Sequence, residues 1–138
     1  MMSAGRYYVG DSAYVLQDEW DEVCSLIIQD GRVLNGEFNL KDGRRFAIYS
    51  TAYGDGTYYD RDGHRYFVDA GSIGCIRMDM IDTSNERNDV DGGNVIMFKE
   101  DFNTSSDGEN ITFGDVTILT GDYDEDPYEE EEYEYEDA

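Results

Sequence analysis

One histidine, two cysteines and 33 carboxylates are what this 138-residue chain offers for chemistry. Any Ser–His or Cys–His arrangement has to use His64. Ser12, Cys24 and Cys75 are the conceivable nucleophiles, and no spacing selects one of them. His64 follows a turn glycine, Gly63, so an exposed turn histidine is the plainer reading. Glycoside hydrolysis needs two carboxylates set apart in their roles, and among so many acids no pair is singled out. No glycine-rich phosphate loop is present. The expectation is a chain with no catalytic residue and no cofactor; a small hydrolase is the weakest alternative.

Calcium makes the best case for a metal. With Gly63 on the invariant glycine of an EF-hand loop, Asp60 and Asp62 take the third and fifth positions and Asp69 the twelfth. Tyr58 then stands at the first position, and Asp69 is too short for the bidentate Glu. The flanks also read as strands rather than helices. Asp89-Val90-Asp91-Gly92 fails because Phe98 falls on the last position. Turn chemistry accounts for these Asp-Gly pairs, since Gly accepts positive φ freely and Asp tolerates it. No metal is expected at Asp60, Asp62 or Asp69.

The elements that carry these residues are mostly strands. Asp42-Gly43 and Asp62-Gly63 each precede an aromatic and β-branched run, with Asp55-Gly56 between them. Together they predict strands at 44–51, 56–59, 64–69 and 73–78, a meander packed on one face. Residues 6–9, 32–34 and 36–40 read as further strands, with a short run at 13–16. Trp20, Val23, Cys24 and Ile27 make an apolar stripe at helical spacing. The predicted helix spans 18–29, with Asp18 as N-cap, acids in its first turn and Gly31 ending it. Residues 79–94 read as a long mobile loop and 95–98 as a buried strand. Residues 103–110 form a polar turn, and 111–119 a strand pair or one strand bent at Gly114. The fold class is mainly β (α+β): an antiparallel meander or partly closed, barrel-like sheet with one N-terminal helix packed on it.

Tyr7-Tyr8-Val9-Gly10-Asp11, followed by Tyr14-Val15, resembles the opening of small bacterial and phage proteins with a Tyr-x-Gly-Asp-Pro-Cys-Tyr-Val motif. Those proteins carry a later Val-Asp-x-Gly segment, here Val68-Asp69-Ala70-Gly71. The resemblance covers about the first 75 residues. It implies a compact β-rich domain of phage or bacterial origin and brings no activity with it. Ser12-Ala13 stands in place of Pro-Cys, so chemistry resting on those positions does not carry over.

Charge remains. The formal net charge is −23. Residues 122–138 hold eleven of the 33 acids and no Lys or Arg, which leaves 22 acids against ten bases, or −12, for residues 1–121. The chain thus divides into a globular part, 1–121, and an acidic Tyr/Glu-rich tail, 122–138, expected to be disordered alone. Such a surface repels nucleic acid and anionic membranes and attracts basic proteins. No apolar run reads as a signal peptide or membrane span. Cys24 and Cys75, without Cys-x-x-Cys spacing, read as reduced thiols of a cytoplasmic protein. The sequons at Asn103 and Asn110 then read as chance.

These features predict a non-enzymatic, phage-type inhibitor that mimics nucleic acid on a basic site of a host defence or DNA-processing protein. Extended, the tail spans roughly 56 Å, or about 5 Å per charge, against ~1.7 Å in duplex DNA. That spacing suits a single strand, with tyrosines in the stacking sites of bases. The predicted partner-binding residues on the tail are Asp122, Asp124, Glu125, Asp126, Tyr128, Glu129, Glu130, Glu131, Glu132, Tyr133, Glu134, Tyr135 and Glu136. On the helix they are Asp18, Glu19, Asp21 and Glu22. The alternative is an acidic protein that shields a basic partner.

Overall fold

The computed structural model describes residues 1–121. The tail and the thirteen partner-binding residues predicted on it lie outside the described residues.

The described chain is mainly β with one helix, in open antiparallel sheets. Strand β1 (Gly5–Gly10) leads through a 3-10 turn at Ser12–Tyr14 into helix α1 (Trp20–Ile27). A short hairpin follows, β2 (Ile28–Gln29) and β3 (Arg32–Val33), then β4 (Gly36–Asn39) and β5 (Arg45–Ser50). Next come β6 (Gly56–Tyr59), β7 (Arg65–Val68) and β8 (Ser72–Arg77). After a 3-10 turn at Met78–Met80, β9 (Asn94–Phe98) precedes β10 (Thr104–Ser106), β11 (Ile111–Phe113) and β12 (Val116–Ile118). The main sheet has the order β4-β5-β8-β1-β9, while β6-β7 and β10-β11-β12 form separate small sheets.

The main sheet is buried on both faces. Tyr7, Val9, Ala47, Tyr49, Ile73 and Cys75 point to one side and pack under β6-β7 and β10-β12. Tyr8, Phe46, Ile48 and Ile76 point to the other, under Val23 and Ile27 of α1 and the turn residues Val15 and Leu16. Burial on both sides explains why β5 and β8 read as unbroken apolar runs rather than alternating ones. Each large apolar side chain removed from water contributes about 1.5–3 kcal/mol. The five buried tyrosines bring hydroxyls into the core, and each finds a partner. Tyr7 donates to Ser3 O, Tyr8 to Asp11 O, Tyr58 to Gly54 O and Tyr66 to Asp60 Oδ2, while Tyr49 meets Thr104 Oγ1.

Several expectations are corrected. The sheet is packed on two faces, and β5 pairs with β8, so β6-β7 is an excursion and not the middle of a meander. The helix spans 20–27, with Glu19 at its N-cap position and no side-chain cap, so Asp18 does not cap it. Residues 28–29 leave the helix because Asp30 and Gly31 both take positive φ (52° and 77°). That is the geometry of a two-residue hairpin turn, and Ile28 pairs with Val33. Residues 12–14 curl instead of extending, since Asp11 accepts a hydrogen bond from Ala13 N. β9 is an edge strand, alternately exposed. Thr104–Ser106 is a strand rather than a turn. The 79–94 loop is pinned: Asn88 Oδ1 accepts from Gln17 N, and Asp89 N donates to Tyr14 O.

Candidate functional site

Two buried aspartates organise the polar interior, and the sequence pointed to only one of them. Asp60 ends β6 with its side chain closed off from solvent. Its Oδ1 accepts from the amides of Asp62 and His64, both at 2.9 Å. Its Oδ2 lies 2.7 Å from Tyr66 Oη and 3.0 Å from His64 Nδ1. Burial pushes this carboxyl's pKa up, but the hydrogen bonds from Tyr66 and His64 outweigh it and hold the pKa below the ordinary value. Four contacts use the four lone-pair sites of a carboxylate.

The geometry tests both chemical readings of this turn. Asp60, Asp62 and His64 bring ligand atoms within 4.8 Å of one another. A cation taking Asp60 Oδ2 and His64 Nδ1 as ligands would replace the hydrogen bond between them, and every lone-pair site of Asp60 already has a donor, so the donor set reads as a turn clasp. Asp69, the third acid of the calcium alignment, belongs to a different junction. The Asp60–His64 contact also resembles the orienting half of a catalytic triad. Among the described residues, no hydroxyl or thiol hydrogen-bonds to the His64 ring. Ser12 and Cys75 are buried elsewhere, and Cys24 sits on α1.

Asp11 is the second hub. It is fully buried at the end of β1 and accepts from Ala13 N (2.9 Å), Asp69 N (2.6 Å) and Ala70 N (2.8 Å). Burial raises its pKa against these three amides. Tyr14 Oη donates to Asp69 Oδ2 at 2.6 Å across the same junction. The two segments that carry the resemblance, 7–15 and 68–71, thus meet at one carboxylate. Nothing local announces the contact, which joins residues 58 and 59 positions apart. Ser12 Oγ, next to Asp11, is buried without a partner and faces Gly74, where an added β-carbon would stand 2.5 Å from it.

The predicted helix acids are mostly engaged. Asp18 pairs with Arg87 and accepts from Asn85 Nδ2, and Glu19 lies 2.8 Å from Arg44 Nη2. Glu22 Oε2 accepts from Lys41 N, while Asp21 has no described hydrogen-bond or ion-pair partner. These acids fasten α1 to neighbouring loops. The bases are tied down in turn: Arg44 also meets Asp42 at 2.9 Å, Arg45 meets Glu37 at 2.6 Å, and Arg77 meets Asp79 at 3.0 Å. Glu37 further binds the amino terminus and the Thr104 hydroxyl. Burial raises the Glu37 pKa, but these donors outweigh it and the net shift is downward. Sequence reasoning missed Glu37, whose three partners lie on three separate segments. Among the described residues, no helix is long and apolar enough to cross a membrane. Comparison with protein-family models, with curated proteins and with solved structures finds no match to this chain.

Proposed function

We propose that the protein is a non-enzymatic, phage-type inhibitor that occupies a basic nucleic-acid-binding site on a host defence or DNA-processing protein, its carboxylates standing where phosphates would bind. One observation carries the reading. Residues 1–121 have a net charge of −12, from 22 acids and ten bases, and Arg44, Arg45, Arg77 and Arg87 are each held by a carboxylate. The folded body therefore presents an acidic exterior on a rigid two-faced sheet, and the tail extends the same charge. Opposite potentials speed encounter and fix orientation, and salt weakens both.

The test is retention of nucleic-acid-binding proteins from bacterial lysate on full-length protein and on residues 1–121, with elution by salt and by a single-stranded oligonucleotide. Both hydrophobic clusters lie within the truncated chain. The reading expects one such protein on both baits, displaced by the oligonucleotide and weakened about tenfold or more between ~0.05 and ~0.2 M salt. Loss from the truncated bait alone assigns the contact to the tail and favours shielding of a basic partner. Retention insensitive to salt and oligonucleotide overturns the mimicry.

A further inference from the structure

β9 ends the main sheet, and among the described residues no strand pairs with its outer edge. The β6-β7 hairpin reaches only the strand's start, where Phe67 N donates to Gly92 O and Asn94 Nδ2 to Arg65 O. Beyond that point, no backbone hydrogen bond among the described residues reaches residues 95–98 from outside the β1 ladder. Val95 and Met97 are 43% and 57% exposed, on the face shared with Tyr8 but beyond the cover of α1. The strand carries no charge and no proline, which are the usual protections of an exposed edge. At its end, Met97, Phe98 and Phe102 line a cleft of about 520 Å³ rimmed by Glu100, Asp101 and Asp115.

We infer that β9 is a strand-addition site for a basic, extended segment of a partner protein, with alternate apolar side chains on Val95 and Met97 and Lys or Arg at its ends. The inference rests on the reading above of the protein as a ligand for basic surfaces, and it says where the contact is made. Charge chooses the occupant. Asp89 and Asp91 precede the strand, and Glu100, Asp101 and Asp115 surround its end, against Arg6, Arg65 and Lys99. A second copy is disfavoured. Antiparallel pairing of β9 with itself about Ile96 sets Asp91 against Asp101 twice, between chains of charge −23. Main-chain hydrogen bonds supply such contacts, and alternate side chains give them specificity.

The experiment uses the full chain and a labelled probe peptide, Lys-Arg-Val-Thr-Val-Thr-Val-Arg-Lys. Two controls accompany it: the same peptide with both Thr replaced by Pro, and one with Glu and Asp in place of the bases. Amide exchange is followed alongside binding. The expected result is binding with new protection at residues 95–98, weakened about tenfold by the prolines, by Met97→Lys and by Glu100→Lys/Asp115→Lys, the effect of one lost anchor. Circular dichroism checks that the variants fold. Equal binding of the proline peptide, or protection elsewhere, assigns the attraction to charge alone and overturns the strand site, leaving the function proposed above intact. Absence of peptide binding also overturns it, and so does self-association with protection at 95–98.

Discussion

Replacing Asp11 tests whether one carboxylate joins the first strand to the 68–71 turn. Asp11→Ala leaves three amides, those of Ala13, Asp69 and Ala70, without their acceptor. A buried donor left unpaired costs about 1–3 kcal/mol. Three of them at the low end give about 3 kcal/mol, and release of a carboxylate from an unfavourable burial returns part of that. The expected loss is about 2–3 kcal/mol, a large share of the ~5–15 kcal/mol that holds a domain together. For a body of this size that lowers Tm on the order of 10 °C. Asp11→Asn keeps one accepting oxygen and loses about half as much. The assay is urea unfolding combined with amide exchange, read at Asp69 and Ala70. A loss below ~0.5 kcal/mol with unchanged exchange at those two amides refutes the reasoning. pH supplies a second reading. The Asp11 pKa is raised on folding, so the folded chain takes up this proton first, and the contribution of Asp11 grows as pH falls through its folded pKa. Asp11→Asn is therefore expected to lose stability faster on acidification than the parent.

Other substitutions probe the remaining contacts. Asp60→Ala is expected to cost about 3 kcal/mol or more, because it strands Tyr66 Oη and two amides. His64→Ala, at a half-exposed ring, costs at most about 1 kcal/mol, and equal losses in urea unfolding sink the clasp. Gly74→Ala puts a β-carbon 2.3 Å from Ala47 O; with backbone unable to yield, the cost is about 2–3 kcal/mol, and an unchanged urea midpoint contradicts the packing. Asp60 and Glu37 are depressed from ordinary values of 3.8 and 4.5. The stability they confer is full above those values and lost as pH falls through the folded ones, so the urea midpoint drops from about pH 5 downward. Burial raises the thiol pKa of both Cys24 and Cys75, and Cys75 is fully enclosed. A thiol reagent should modify Cys24 in the native chain and Cys75 only after unfolding; equal native rates would refute that.

Local patterns located most strands but not their partners. Phe46-Ala47-Ile48-Tyr49 and Ile73-Gly74-Cys75-Ile76 are legible as strands from composition alone. That they pair with each other, with β6-β7 looped out, is set by packing of Tyr58, Tyr66 and Val68 beneath them. The helix ends were misplaced where a local signal has two meanings: Asp30-Gly31 serves as helix stop or hairpin turn, and the pairing of Ile28 with Val33 decides. At the polar hubs, Asp60 was visible because its partners lie within six residues. Asp11 and Glu37 were not, because theirs are brought in by the fold.

The place of β1 inside the main sheet bears on how the chain is made. β1 leaves the ribosome before every other described strand, yet its two neighbours are β8 and β9, with Tyr7 opposite Arg77 and Ile96. The second of these pairs is 89 residues apart in sequence. At ~5–20 residues per second of synthesis, Tyr7-Tyr8-Val9 waits roughly 4–18 s for its partners. During that time it is an unpaired apolar strand open to other chains. Closure is dominated by non-local pairing, which places folding in the millisecond-to-second range of such topologies. The insertion of β1 between β8 and β9 therefore waits on strands made well after it.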